Sequence, residues 1–185
     1  MKKLSQIEES IWGDMRRRAD TKSHRKEEEV GNLDQLQPVD MGGFVLWADK
    51  DLEIDGNKFF TFEEAIDFVE EHETEWRLPT DKDIAELVML NDKQKFKTEK
   101  DRYILTSKYE GELNFNRDGF LSYKNKLRDE GAYYGWLSTI YQQGLVKVMK
   151  IDIANQVSYS VEKIECKLCI RLVKDKLRKR KFTFV

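Results

Sequence analysis

The chain is 185 residues long, 37% charged and 39% hydrophobic, with ten Phe, seven Tyr and four Trp. That length excludes a multidomain enzyme, and that aromatic content excludes a disordered chain. Thirty-three Lys and Arg face 35 Asp and Glu for a formal net charge of −2, so no overall basic field exists to hold nucleic acid.

Residues 1–38 read as an appendage. The opening Met1 to Ser10 has a basic start but not the apolar run of ~7 to 15 residues of a secretory signal, and nowhere does an apolar run reach the ~18 residues of a membrane span. The expectation is a soluble protein made in a cytoplasm, with no membrane partner. Leu4, Ile7, Ile11 and Met15 recur at helical spacing with Trp12 beside them, which predicts a short amphipathic helix. Gly13 inside it costs about 1 kcal/mol relative to Ala, and an isolated helix of this length is marginal in water. From Arg16 to Glu29 the only apolar side chain is Ala19, so the stretch is a charged linker or second docking surface. The stripe of Leu4, Ile7, Ile11, Trp12 and Met15, closed by Arg16, is the candidate partner-binding site, with packing on its own domain as the alternative.

From Val39 to Asp175 the pattern predicts one compact α+β domain. Phe44-Val45-Leu46-Trp47 and Lys58-Phe59-Phe60 flank Asp55-Gly56 and read as a hairpin. Two helices follow. Thr61 with Glu64 starts the first, with Ala65, Ile66 and Val69 inward; Thr80 with Asp83 starts the second, with Ile84, Leu87 and Val88 inward. After a polar stretch from Lys93 to Arg102, strand character resumes in Tyr133 to Ser138, Val146 to Met149, Val157 to Val161 and Cys169 to Val173. A turn at Ala154-Asn155 makes the middle pair part of an antiparallel meander. Residues 176–185 form a basic tail.

Five segments together carry a family resemblance: Val39-Asp40-Met41-Gly42 ahead of Leu46-Trp47-Ala48; Phe59-Phe60-Thr61-Phe62-Glu63-Glu64-Ala65; Trp76-Arg77-Leu78-Pro79-Thr80; Gly135-Trp136-Leu137-Ser138-Thr139; and Cys169-Ile170-Arg171-Leu172-Val173-Lys174-Asp175. In this order they resemble the C-type lectin-like fold, in its bacterial version called the Fibrobacter succinogenes major paralogous domain. The likeness covers residues 39–175, with insertions between Asn91 and Glu130. It implies two helices and a twisted antiparallel sheet, a loop region that displays a binding surface, and no catalysis. Calcium-dependent sugar-binding members carry a Glu-Pro-Asn or Gln-Pro-Asp triplet and a Trp-Asn-Asp strand; neither occurs here, so no calcium or other cofactor is expected. Separately, Glu8-Glu9-Ser10-Ile11-Trp12-Gly13-Asp14-Met15-Arg16-Arg17-Arg18, followed by Arg25-Lys26-Glu27-Glu28 and Asn32-Leu33, is similar to a leader on virion proteins of Bacteroidetes phages, including crAss-like phages. That usage implies an attachment peptide.

The chemistry-bearing residue types do not gather into a catalytic pattern. Asp49, Asp51, Glu53 and Asp55 alternate as in a calcium loop, and counting from Asp51 puts Gly56 at position six. Position twelve is then Phe62, with Glu63 one place late, so a solvated acidic hairpin is expected. Cys166 and Cys169 lie three apart, which in a strand turns them to opposite faces; with only His24 and His72 in addition, they read as core thiols of a reduced protein. Neither histidine has a nucleophile motif around it, and the carboxylates are scattered, so no enzyme is expected. Trp47, Trp76 and Trp136 are assigned to the core. The basic run Lys174 to Lys181 is a solubilising tail or a contact with an acidic neighbour.

The reading that joins these expectations is a virion structural protein, a head or tail fibre or decoration protein. It is anchored by its N-terminal helix to other virion proteins and displays a lectin-like domain toward a host-surface glycan or protein as a small homo-oligomer. The alternative is a carbohydrate- or protein-binding surface module of a Bacteroidetes cell.

Overall fold

The computed structural model describes residues 33–72, 74–90, 96–107 and 111–176. A 3-10 turn, Leu33–Gln35, leads into β1 (Pro38–Asp40) and β2 (Val45–Ala48), then helices α1 (Phe62–Glu71) and α2 (Asp81–Leu90). A three-stranded meander follows, β3 (Phe96–Thr98), β4 (Arg102–Thr106) and β5 (Glu112–Asn116), and then a small hairpin, β6 (Phe120–Leu121) with β7 (Leu127–Arg128). A second meander, β8 (Tyr133–Gln142), β9 (Leu145–Ile151) and β10 (Val157–Lys163), precedes the closing strand β11 (Val173–Asp175). The described residues are α+β, as the sequence predicts, with two α-helices and antiparallel sheets in which strands dominate.

The sheet β10-β9-β8 carries apolar side chains on both faces and therefore separates two cores. On one face Trp136 pairs across to Val148, and both sit among Tyr134, Val146, Leu168 and Ile170. On the other, Gly135 pairs with Met149, and Tyr133, Leu137, Met149 and Ile151 meet Trp47 and the inner face of α2. Trp136 is fully buried and its Nε1–H donates to the Phe60 carbonyl at 2.7 Å. Removing ~150–250 Å² of such a ring from water contributes roughly 4–6 kcal/mol. Trp47 and Trp76 are buried too, so all three take the core role expected of them.

Both helix starts match their sequence signals. Thr61 Oγ1 accepts from the Glu64 N–H at 3.2 Å while Glu64 Oε2 accepts from the Thr61 N–H at 2.7 Å, a reciprocal capping box. Asp83 Oδ2 accepts from the Thr80 N–H at 2.7 Å. The faces need two adjustments. Ala65 is buried, with Ile66 and Val69 packed at the margin, but Phe68 is the large inward residue of α1. On α2, Ile84 and Leu87 are inward and Val88 is 45% exposed. At 3.6 residues per turn the buried arc runs from Asp83 through Leu87 to Ile84, and Val88 falls about 40° beyond it.

The expected hairpin between residues 44–47 and 58–60 is corrected. Its turn exists: Ile54 and Asn57 exchange backbone bonds of 3.0 and 2.8 Å around Asp55 and Gly56, whose φ angles are 51° and 75°. The arms end there, because Leu52 is pulled into the core and its N–H bonds to the Ile170 carbonyl at 2.8 Å. β2 pairs instead with β1 and β11, and Phe60 bridges Leu168. Of the segment Cys169 to Val173, only Val173 belongs to a regular strand; Cys169 makes a single bridge to Gly135.

The region from Asn91 to Glu130 holds structure that its polarity concealed. Tyr103 and Leu105 of β4 and Leu113 and Phe115 of β5 are buried in the second core. The β6–β7 hairpin is seated by Gly119, whose φ is 71° and where a Cβ would meet the Arg128 carbonyl at 2.1 Å. Leu33 and Leu36, which composition places in the linker, pack into the first core.

Candidate functional site

A groove of about 850 Å³ with an apolar floor lies between α2 and the ends of β2 and β11. Phe44, Met89 and Leu90 line it, Phe44 at 72% and Met89 at 86% exposure. Its polar wall comes from the two most specific sequence motifs. Arg77, from the Trp-Arg-Leu-Pro-Thr run, donates through Nη1 to Asp83 Oδ2 at 2.8 Å and through Nη2 to Asp175 Oδ1 at 2.8 Å. Its backbone exchanges bonds of 2.8 and 2.9 Å with Val173, so the first motif holds the last strand by main chain and side chain together.

Burial works against the charge on Asp83, but Arg77 and the Thr80 N–H and hydroxyl outweigh it and hold the carboxyl below its ordinary value. The Asp83 and Asp175 partners likewise hold Arg77 above its ordinary value against the opposing effect of burial. Asp83 is thus already bonded, and Thr80 donates its hydroxyl to it at 2.8 Å. Neither residue is left as a base or nucleophile. The groove suits an apolar or amphipathic group.

The acidic segment is corrected in part. Asp51 is buried, its Oδ1 accepting from Arg171 Nε at 2.7 Å and from the Tyr133 hydroxyl at 3.0 Å. Asp49 accepts from the Gln37 N–H at 2.8 Å; Glu53 and Asp55 are exposed. Only the tip is solvated, because the root of the segment supplies the counter-ion of a buried arginine. Among the described residues no three His, Cys, Asp or Glu side chains are placed to hold a metal ion.

Cys166 and Cys169 are free and buried, one in each core, as core thiols were expected to be, although neither lies in a regular strand: Cys166 sits in a bend and Cys169 in a single bridge. Burial raises both thiols, Cys169 well above its ordinary value. His72 closes α1 and stacks on Phe68 at 4.1 Å; His24 lies outside the described residues. Of the basic run, Lys174 lies 5.0 Å over the Trp76 ring and Lys176 pairs with Asp40 at 2.6 Å, and residues 177–185 are outside the described part. Leu4, Ile7, Ile11, Trp12, Met15 and Arg16 are outside it as well.

Exposed aromatics that the sequence reading passed over stand on the second meander and the small hairpin. Tyr123 lies between Lys163 at 4.7 Å and Lys124 at 5.4 Å, and Tyr159 donates to the Asp81 carbonyl at 2.7 Å with Lys147 5.9 Å from its ring. Their alternation with polar residues was the available signal. Comparison with known proteins finds no matching family model, no matching curated protein and no matching solved structure.

Proposed function

We propose that the chain is a non-catalytic virion structural protein of a phage, attached to the particle by the stripe of Leu4, Ile7, Ile11, Trp12 and Met15. Residues 39–175 then form a C-type lectin-like module turned toward a host-surface glycan or protein. One observation carries the domain half of this reading: among the described residues, positions 33 to 173 supply two packed hydrophobic cores. The attachment half rests on the helical spacing of the stripe in the sequence. Three features support the lectin-like reading: β2 flanked by strands from both ends of the domain, two capped helices, and the bond of Arg77 to Asp175 that joins two of the resembling segments. The groove beside α2 has an apolar floor and a fixed ion network, the character of a binding surface.

The experiment is incorporation into particles by the full chain and by a chain lacking residues 1–31, which keeps Leu33 and Leu36. The expected result is a folded truncated protein that is absent from purified virions. Truncated protein at normal occupancy overturns the anchoring role, and absence of the full chain from any particle favours the cell-surface alternative.

A further inference from the structure

The outer edge of the second meander has the chemistry of a self-pairing interface, independent of the virion reading. β10 runs Val157-Ser158-Tyr159-Ser160-Val161-Glu162-Lys163 and pairs with β9 over all seven residues without a register shift. Bonds at the two ends of that ladder, Asp152 N–H to the Gln156 carbonyl at 3.2 Å and Ile164 N–H to the Gly144 carbonyl at 3.3 Å, fix its phase. Ser158, Ser160 and Glu162 therefore bond inward to β9, and Val157, Tyr159, Val161 and Lys163 turn their N–H and C=O groups outward. Among these, the Lys163 carbonyl accepts from the Cys166 N–H at 3.0 Å, and no described residue bonds the outward groups of Val157, Tyr159 and Val161.

Natural sheets guard such an edge with proline, bulges or inward charges. β10 has no proline and no bulge; its one inward charge, Glu162, sits opposite Val146 near the strand's end, and Lys163 closes it. Val157 to Val161 is therefore the unguarded stretch, whereas β8, at the sheet's other edge, is irregular between Trp136 and Gln142 and bridged by Gly119 and Cys169. The edge is also self-complementary. With a twofold axis through Ser160, an antiparallel second copy sets Tyr159 against Val161 twice, Ser158 against Glu162 and Val157 against Lys163. No like charges meet, and Tyr159 and Val161, 46% and 37% exposed, cover one another.

We propose that two copies of this chain associate through β10, joining the two three-stranded meanders into one six-stranded antiparallel sheet. Backbone bonds supply most of the contact, so the interface lies at the small end of stable ones and its Kd is in the micromolar range.

Sedimentation equilibrium of the full chain up to about 0.1 mM, with amide hydrogen exchange, tests this. The expected result is a dimer whose Tyr159 and Val161 amides become protected as concentration rises. Val161→Pro removes one outward donor at a position where an edge strand tolerates proline, and should halve the mass. Ser160→Lys, which sets two cations on the axis, serves as the second variant should the first unfold. A monomer throughout overturns the proposal. So does an oligomer that persists in both variants with those two amides unprotected, which would place assembly away from β10.

Discussion

Arg171 lies in the middle of an apolar run and ends in the interior, and its replacement by Met tests how the two cores and the β3-β4-β5 sheet are held together. Its guanidinium donates to Asp51 at 2.7 Å, to the Ala48 carbonyl at 3.0 Å and to the Asn114 carbonyl at 2.5 Å, and lies 4.7 Å from the Phe115 ring. Side-chain exposure is 2% for Arg171 and 6% for Asp51. Burial disfavours the charge, but Asp51 and Tyr133 more than offset it and hold the guanidinium above its ordinary value. Arg171→Met keeps the length of the aliphatic stem and strands the Asp51 carboxylate without its counter-ion. An uncompensated buried charge costs about 3–5 kcal/mol. Against a total stability of ~5–15 kcal/mol, this is a large fraction, and at ~2–4 °C per kcal/mol it lowers Tm by roughly 6–20 °C. Asp51→Asn alone should cost a comparable amount by stranding the arginine. Combined with Arg171→Met it should recover at least ~2 kcal/mol of the summed loss, because neither charge is then left alone. Urea unfolding followed by circular dichroism measures all four corners of the cycle. A single Arg171→Met loss below about 1 kcal/mol, or a strictly additive double variant, refutes the role assigned to this pair.

The same reasoning gives four further expectations. Asp83→Ala should cost about 2 kcal/mol at pH 7, and the gap to wild type should close as pH falls below the ordinary value of 3.8. The folded carboxyl sits below that value, so its contribution is full above it and disappears on protonation; a gap independent of pH would contradict this. Thr61→Ala should lose about 1 kcal/mol by thermal melting through the α1 cap, and an unchanged Tm would mean the box contributes nothing. A thiol reagent at pH 8 should label Cys166 and Cys169 only on unfolding, since both are buried with raised thiols; rapid labelling of the native protein would count against it. Replacing calcium with chelator should leave Tm unchanged, as Asp51 is engaged by Arg171, and a large drop would reveal a bound ion.

What could be read in the sequence was local. Thr61 with Glu64 and Thr80 with Asp83 are caps whose partners lie three residues away, and the β9–β10 turn is written in Asp152 to Gln156. The strands of the second meander announced themselves through β-branched and aromatic density. Errors arose where distant segments decide. Lys58 to Phe60 lies close to β2 in sequence, but β2 is paired by β11, about 125 positions away, whose buried Val173 sits opposite Trp47. The β3-β4-β5 sheet went unread because its runs are short: in β5, Leu113 and Phe115 alternate with Glu and Asn, and in β4 the apolar signal is only the three residues Tyr103-Ile104-Leu105. The candidate groove had no linear signature, since its walls come from Phe44, from α2 and from the end of β11.

The motifs that make the sequence distinctive do architectural work. Trp76 and Trp136 fill one core, Arg77 joins Asp83 to Asp175, and Arg171 joins Asp51 to the carbonyls of Ala48 and Asn114. A side chain committed in this way has little left with which to select a ligand, because moving it breaks a cap, a strand closure or a buried ion pair. If the domain binds a ligand as proposed, selectivity falls to positions whose replacement costs the fold little, Met89 in the groove and Tyr123 between its lysines. Substitutions within the motifs should move Tm before they move binding, and substitutions at the exposed set should do the reverse.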